Sequence, residues 1–486
     1  MGPSNRLRIG ALTAVVVCAW AFGLWGCAVG PDYKRPDAPG SAAFKEQPPP
    51  GSWKQAQPAD GTVGDKWWQL YGDAQLDALE AKIDVSNQTL KTATGQYLAA
   101  RDQIRVARAA YFPTLGVSPS VSRIRLSKNQ PNTLLATTKF DYTLLALQGQ
   151  AQWEPDLWGQ VRRTVEQARA DAQASAADLA NVALSLHAEL ALDYFLLRGL
   201  DTQKQLLDTT LASDADELQL ARVRFKGGVA NAVDVAQAET QYLQVKAQGI
   251  DVGVQRAQFE HAIATLIGVP AATFALAPSP LAAKLPVVPP GVPSELLERR
   301  PDIAAAERRL AAANAQIGIA VAAYYPNIIL SATGGFESGS LANWLQIPSL
   351  FWSLGASALE TLFDAGRRHA LTDQARDLYE AQVATYRQSV LAAFQDVEDN
   401  LSALRILADE AEAQAAAVES ARESLALSNK RYKGGVTTYL EVLTAQTIQL
   451  SNERTQADVA TRRVTASVQL IRALGGGWTS AQISAR

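Results

Sequence analysis

The chain has 486 residues and a formal net charge of −3 at neutral pH, a balance that gives no case for a nucleic-acid partner. Apolar residues make up 48% of the sequence and aromatic residues only 7%, so the apolar share leans on alanine and other aliphatic side chains. That composition suits long, closely packed helices better than one thick globular core.

The N-terminus reads as an export signal. Arg6 and Arg8 form a short positive region, an apolar run follows from Ile9 to Trp25, and the run ends in Leu24-Trp25-Gly26-Cys27. A small residue before a cysteine, with leucine three places ahead of it, resembles a bacterial lipoprotein signal. Residues 1–26 would then be removed, and Cys27 would carry the lipid as the new N-terminus. A plain transmembrane anchor is the alternative, but the run is near the lower end of what spans a bilayer, and Gly23 and Gly26 suit cleavage better. Cys18 lies in the segment to be removed, so the mature chain can form no intrachain disulfide and offers no case for a catalytic thiol. Ala28 rather than aspartate after the cysteine favours retention in the outer membrane, by the same resemblance.

A Pro-, Gly- and Gln-rich stretch follows (PDYKRPDAPG, QPPPGS) and reads as an extended tether. From Trp67-Trp68 the pattern turns helical. Leu76, Leu79, Ile83, Leu90, Tyr97, Ile104 and Val106 predict one helix within 74–111, stopped by Pro113. The period then changes to two. Leu115, Val117, Pro119 and Val121 alternate with Gly116, Ser118, Ser120 and Ser122, a strand with one apolar face and one small polar face. After a polar loop near 127–139, Thr143, Leu145, Leu147, Gly149, Ala151 and Trp153 alternate with Gln148, Gln150 and Gln152 to predict a second strand. Residues 158–226 are nearly free of proline and predict one helix of roughly 100 Å at 1.5 Å per residue. A return helix follows near 230–267, and then a proline-rich linker.

The second half repeats this order. Residues 224–240 (RFKGGVANAVDVAQAET) match residues 431–447 (RYKGGVTTYLEVLTAQT) without a gap, at an offset of 431 − 224 = 207. Residues 103–113 (QIRVARAAYFP) match 316–326 (QIGIAVAAYYP) at an offset of 213. Each Gly-Gly pair reads as the tip of a helical hairpin, because glycine reaches the left-handed angles that end a helix. Ile328, Leu330 and Ala332 alternate with Ile329, Ser331 and Thr333, and Leu354, Ala356 and Ala358 with Gly355 and Ser357, giving two more strands. A helix over 365–433 carries apolar residues at steps of three and four, and a return helix follows near 436–474.

Four strands cannot close a membrane barrel, which in bacteria needs at least about eight strands because every edge must be paired in lipid. Several chains must therefore share one barrel, and two long helical hairpins hide their apolar seams only in a ring. The expectation is an oligomeric tube, β in the membrane and α outside it.

The segments RRPDIAAAERRLAAANAQIGIAVAAYYPNIILSA (299–332), CAVGPDYKRP (27–36), Trp67-Trp68, EPDLWGQVRR (154–163) and both KGGV tips resemble the outer-membrane factors of tripartite efflux systems, a TolC-like superfamily, in its lipoprotein branch. The resemblance runs from Cys27 to about Gly475. It implies a mainly α, internally duplicated chain that forms a homotrimer, with a twelve-stranded β-barrel in outer-membrane lipid continued by a long α-helical coiled-coil barrel into the periplasm. On this scheme residues 27–73 are the N-terminal tether and equatorial segment. Residues 74–274 are the first repeat, with a β-hairpin at 113–156 and a tip near 227–228. Residues 275–300 are the linker, 301–475 the second repeat with a β-hairpin at 327–364 and a tip near 434–435, and 476–486 the tail. The implied function is a passive exit duct for drugs or other small molecules, fed by a periplasmic adaptor (membrane fusion) protein and a proton-driven inner-membrane pump of the RND type. The periplasmic gate falls on Tyr432, Leu440 and Thr444, with Val233 and Gln237 at the equivalent places of the first copy. Leu440 packing and interhelix contacts of Arg224, Arg431 and Tyr432 would seal it. Thr444 stands where an aspartate is common, so no carboxylate ring is expected there. The tips Gly227, Gly228, Val229, Gly434, Gly435 and Val436 would meet the adaptor.

Enzyme readings find little support. His187, His261 and His369 are scattered without paired ligand spacing and read as surface or packing residues. No phosphate loop is present, so the energy must come from a partner, and no cofactor or metal is expected. Two rivals remain: the exit duct of a protein-secretion system, and a periplasmic coiled-coil adaptor without a pore. The alternating strands argue against the adaptor.

Overall fold

The computed structural model describes residues 28–40, 43–46, 66–127, 141–286 and 296–478. The expected signal segment, Cys27, most of the tether, the tip of the first β-hairpin, part of the linker and the end of the tail lie outside the described residues. Two compact units are present. One holds the described residues up to Pro36 with Leu98–Ala174 and Glu307–Thr385, and the other holds Asp37–Tyr97, Ser175–Ala306 and the chain from Tyr386 onward.

The first repeat runs α1 (Ala74–Ser86), α2 (Gln88–Ala109), β1 (Thr114–Arg125), β2 (Asp141–Trp153), α3 (Gln160–Lys226) and α4 (Ala232–Leu266). The second runs α5 (Pro301–Ala322), β3 (Asn327–Ser338), β4 (Leu350–Leu359), α6 (Arg367–Lys433) and α7 (Tyr439–Ala473). The duplication extends to element length. Both α3 and α6 have 67 residues, both α4 and α7 have 35, and both α2 and α5 have 22. The starts of α3 and α6 differ by 367 − 160 = 207, and those of α2 and α5 by 301 − 88 = 213, the offsets of the repeated sequence. Among the described residues no helix is long and apolar enough to cross a membrane.

The single helix expected over 74–111 is two. Asn87 adopts an extended backbone (φ −62°, ψ 125°) between α1 and α2. Its Oδ1 accepts from Leu90 N at 2.8 Å and its Nδ2 donates to Leu266 O at 2.7 Å. One asparagine thus caps the new helix and ties it to the end of α4, a gain that outweighs one continuous turn of helix.

In the first unit the four strands form one antiparallel sheet in the order β1-β2-β3-β4. In the same unit a small core brings Ala107 of α2 against Val165 and Ala168 of α3. In the second unit the main core gathers around the 3-10 turn Trp67–Tyr71, with Leu76, Leu79 and Ile83 of α1, Leu190 to Leu197 of α3, Val397 and Leu401 of α6, and Val464 to Ile471 of α7. The Trp67-Trp68 pair is therefore a packing element. Trp67 meets Trp68 edge-on at 5.8 Å, Tyr71 lies 4.9 Å from Phe195, and the Tyr71 hydroxyl is 2.5 Å from Ser467 Oγ.

Candidate functional site

The register of the sheet sorts its side chains onto two faces. Leu115 opposes Ala151, Val117 opposes Gly149 and Val121 opposes Leu145. Ala151 opposes Ala332, Leu147 opposes Phe336, and onward Ala332 opposes Leu354 and Gly334 opposes Trp352. Residues directly opposite share a face. One face therefore carries Leu115, Val117, Val121, Leu147, Phe336, Trp352 and Leu354. The other carries Ser118, Ser120, Gln148, Gln150, Gln152, Ser331, Thr333 and Ser357, with Leu144, Ile329, Phe351 and Leu359 towards the strand ends. On that polar face Gln148 Nε2 donates to Glu337 Oε1 at 2.9 Å. Much of the apolar face is bare: Leu115 is 80% exposed and Trp352 and Leu354 are each 73% exposed, while Leu147 and Phe336 are half-buried and Leu145 is buried. Burying a side chain of this kind gains about 1.5–3 kcal/mol, so the face is built for an apolar medium. Among the described residues β1 and β4 each pair on one side only, which leaves two open edges.

At the tips the sequence dictates the turn. In the first, Gly228 N donates to Phe225 O (3.0 Å) and Val229 N to Arg224 O (2.9 Å). In the second, Gly435 N donates to Tyr432 O and Val436 N to Arg431 O, both at 3.0 Å. This is the paired hydrogen bonding of a glycine-terminated helix, with Gly228 at φ +75° and Gly435 at φ +72°. The next helices start differently. Asn231 Oδ1 accepts from Val233 N and Asp234 N, whereas Thr438 makes no side-chain cap. Gly227, Gly228, Val229, Gly434, Gly435 and Val436 are all exposed.

The expected gate residues separate into two groups. Leu440 (54% exposed), Thr444 and Val233 are exposed, Gln237 is half-buried, and Thr444 Oγ1 bonds back to Leu440 O. Tyr432 is only 5% exposed within the protomer and packs with Leu218, Ala221, Ala238, Tyr439 and Val442. The Arg224 guanidinium lies 4.6 Å over the Tyr432 ring and donates to the Tyr432 carbonyl at 2.9 Å, so α3 and α6 are joined there. Arg431 pairs with Glu441 of α7 at 3.2 Å, an exposed contact of small energetic weight.

Next to Tyr432 lies a polar cluster that the sequence reading did not single out. Asp214 and Glu217 stand one turn apart on α3. Gln446 of α7 donates to Asp214 Oδ1, Tyr439 of α7 donates to Glu217 Oε2 at 3.3 Å, and Asn429 of α6 donates to Glu217 Oε1 at 3.5 Å. Asp214 and Gln446 are buried, and among the described residues Asp214 Oδ2, Gln446 Oε1 and the Tyr432 hydroxyl have no hydrogen-bond partner. Burial, reinforced by the Glu217 charge, pushes the Asp214 carboxyl up to about 7. Burial raises Glu217 and Tyr439 as well. The spacing held a signal: Leu207, Leu211, Asp214, Leu218 and Ala221 step by four and three, which puts a carboxylate on a coiled-coil seam.

Three of the motifs that carry the family resemblance meet at Arg163. This buried guanidinium donates to the carbonyls of Val29 and Gly30, both at 3.2 Å, and to Asp32 Oδ1 and Glu166 Oε2, both at 2.8 Å. Asn314 Nδ2 donates to Pro31 O at 2.9 Å, and Tyr33 donates to Glu307 at 3.2 Å. Gly30 (φ +89°) passes so close to α5 that a Cβ on it would sit 2.5 Å from Gly318 Cα. The residues just after Cys27 are thereby fixed against α3 and α5, although Cys27 itself lies outside the described residues. His187, expected as a surface or packing residue, is buried. Its Nδ1 is 2.7 Å from Glu80 Oε2, its Nε2 is 3.3 Å from Asp84, and Trp68 stacks on its ring at 4.5 Å. Among the described residues no group of acidic, histidine or cysteine side chains is arranged to hold a metal.

An open antiparallel sheet with one largely exposed apolar face, in a duplicated chain that also has very long helical hairpins, defines a subunit of a shared outer-membrane channel. The chain belongs to the outer membrane efflux protein family, whose profile matches residues 75–269 and 292–476, one stretch in each repeat. It is 31% identical over 462 residues to the antibiotic efflux pump outer membrane protein ArpC of Pseudomonas putida, covering 94% of each chain. It is 33% identical over 462 residues to the outer membrane protein OprJ of Pseudomonas aeruginosa, again covering 94% of each. The solved structure of the outer-membrane channel OprN superimposes with a TM-score of 0.86 at 30% identity, over 93% of this chain and 100% of that one. The protein is thus the outer-membrane exit duct of an efflux pump and not an enzyme.

Proposed function

We propose that three copies of this chain close one twelve-stranded barrel and together pass drugs or other small molecules outward, taking them from a periplasmic adaptor and an RND-type inner-membrane pump. The observation that carries this reading is the sheet, with one apolar face, one polar face and two open edges in a single chain. In lipid an open edge leaves backbone groups without partners, at several kcal/mol each by the general cost of buried polar groups. Sibling strands supply those partners. The polar face of Ser, Thr and Gln then lines the lumen, and the apolar face meets lipid. Cys27 carries the lipid anchor. The exposed Leu440, Thr444 and Val233 line the closable mouth, with Gln237 beside them, while Arg224, Arg431 and Tyr432 hold the hairpins that bear them. The exposed Gly-Gly-Val tips take the adaptor, and the name of the antibiotic efflux relative supports drugs as cargo.

The test is single-channel recording of the purified protein in planar bilayers, with wild type beside Leu440→Ala. The proposal expects discrete channels and a higher conductance in the variant. Protein that inserts without conducting refutes the duct, and unchanged conductance in Leu440→Ala removes that residue from the mouth.

A further inference from the structure

We infer that Asp214, Glu217, Gln446 and Tyr439 form a proton-operated latch that ties the two helical hairpins together behind their tips. The inference rests on the reading of the tips as the movable mouth. Its contacts run between hairpins: Asp214 and Glu217 belong to α3, Asn429 to α6, and Tyr439 and Gln446 to α7. The cluster sits against the small apolar core of Leu218, Ala221, Ala238, Tyr432, Tyr439 and Val442, which both hairpins share. A parting of the tips must break it.

Two carboxylates one turn apart repel when both are ionised, and burial adds to the cost. The facing groups offer Asp214 little relief. On its own helix there is Glu217, and from α7 come the Gln446 amide and the Tyr439 phenol, with Glu453 farther along and neutralised by Arg422 of α6. From α6 come Asn429, Tyr432 and Lys433, of which the lysine acts on Glu217. Arg224 is engaged with Tyr432, and Asp234 of α4 adds a further negative charge near that ring. A proton on the Asp214 carboxyl removes the charge that this interior cannot solvate. A cavity of about 410 Å³, lined by Ser213, Arg422, Gln446 and Glu453 among others, opens beside the Gln446 end of the cluster, and in it Arg422 pairs with Glu453 at 2.7 Å.

A carboxyl held above its ordinary 3.8 in the closed cluster favours closure when protonated. The latch is therefore fully engaged at acid pH and loosens as pH rises from about 4 to about 7, with no further change above that.

Hydrogen–deuterium exchange on the full-length protein tests this, comparing amides of 214–225 and 432–446 in wild type and in Asp214→Asn from pH 4.5 to 8. Intrinsic exchange chemistry cancels in the ratio of the two. The expected ratio of wild-type to variant rates climbs by up to about tenfold per pH unit below 7 and then levels off. Adding Glu217→Gln steepens the climb, and Asp216→Asn, an exposed neighbour, leaves wild-type behaviour intact. A flat ratio, or the same effect from Asp216→Asn, overturns the latch. Bilayer recordings should show wild-type opening rise towards pH 7 and Asp214→Asn lose that rise. Protein that forms no channel at all would refute the duct, while the exchange ratio would still decide the latch.

Discussion

Leu354→Lys is the substitution that bears hardest on the sheet. Leu354 lies in the middle of β4, opposes Ala332, and is 73% exposed on the apolar face. If that face meets hydrocarbon, the change forfeits about 2 kcal/mol of leucine burial. It also places a charge at mid-depth, at about 2–4 kcal/mol. The loss is about 4–6 kcal/mol per subunit, and three subunits share one barrel. Ser331→Lys is the matched control, one face away on β3 opposite Gly355. There the lysine enters a polar lumen and costs little stability, though it shifts ion selectivity towards anions. The assay is folding into phospholipid vesicles, scored as heat-modifiable mobility on gels and as the urea midpoint of the folded fraction. The account expects Leu354→Lys to fold poorly or with a much lower midpoint and Ser331→Lys to fold as wild type. Equal tolerance at both positions, or damage confined to Ser331→Lys, would refute the assignment of faces.

Three further outcomes follow from the same geometry. Gly228→Ala and Gly435→Ala each force an L-residue into a left-handed turn (φ +75° and +72°) and should cost about 1–2 kcal/mol, read as a lower melting temperature. Gly227→Ala, where a Cβ meets nothing closer than 3.5 Å, should be close to neutral. Arg163→Ala strands the Val29 and Gly30 carbonyls and should cost about 1–3 kcal/mol, a figure kept low because Asp32 and Glu166 remain solvated. Limited proteolysis should then cut within 28–36, and Arg163→Lys should not restore protection because lysine lacks the planar fork of donors. Burial pushes the Glu80 carboxyl up to about 7, so its contribution to stability is complete below about 4.5 and lost as pH rises to about 7. Glu80→Gln should flatten the melting temperature over that window, and a wild-type slope retained in the variant would contradict the burial argument.

Local pattern carried the frame of this molecule. The offset of 207 located both hairpins, because each Gly-Gly pair stops its helix, and the period-two runs located four strands with their alternating sets on opposite faces. What stayed hidden depends on residues far apart in the chain. The break at Asn87 exists because its side chain reaches Leu266, and asparagine inside an otherwise periodic helix gives no warning of that. Arg163 reads as one more surface arginine until residues 29–32 fold onto it. Asp214 looks like part of a solvated acidic run (Asp214, Asp216, Glu217), and only its place in the seam with Leu207 and Leu218 marks it as buried. Tyr432 was legible as a tip residue, but not that its ring would pack under Arg224 inside the protomer.

The sheet's two open edges make the number of chains per particle the decisive quantity. Native mass spectrometry of protein extracted from outer membranes in mild detergent measures it directly. Particles of three chains, whose β1 and β4 amides exchange as slowly as those of β2 and β3, are the predicted result. A stable single chain with fast-exchanging outer strands would contradict the account.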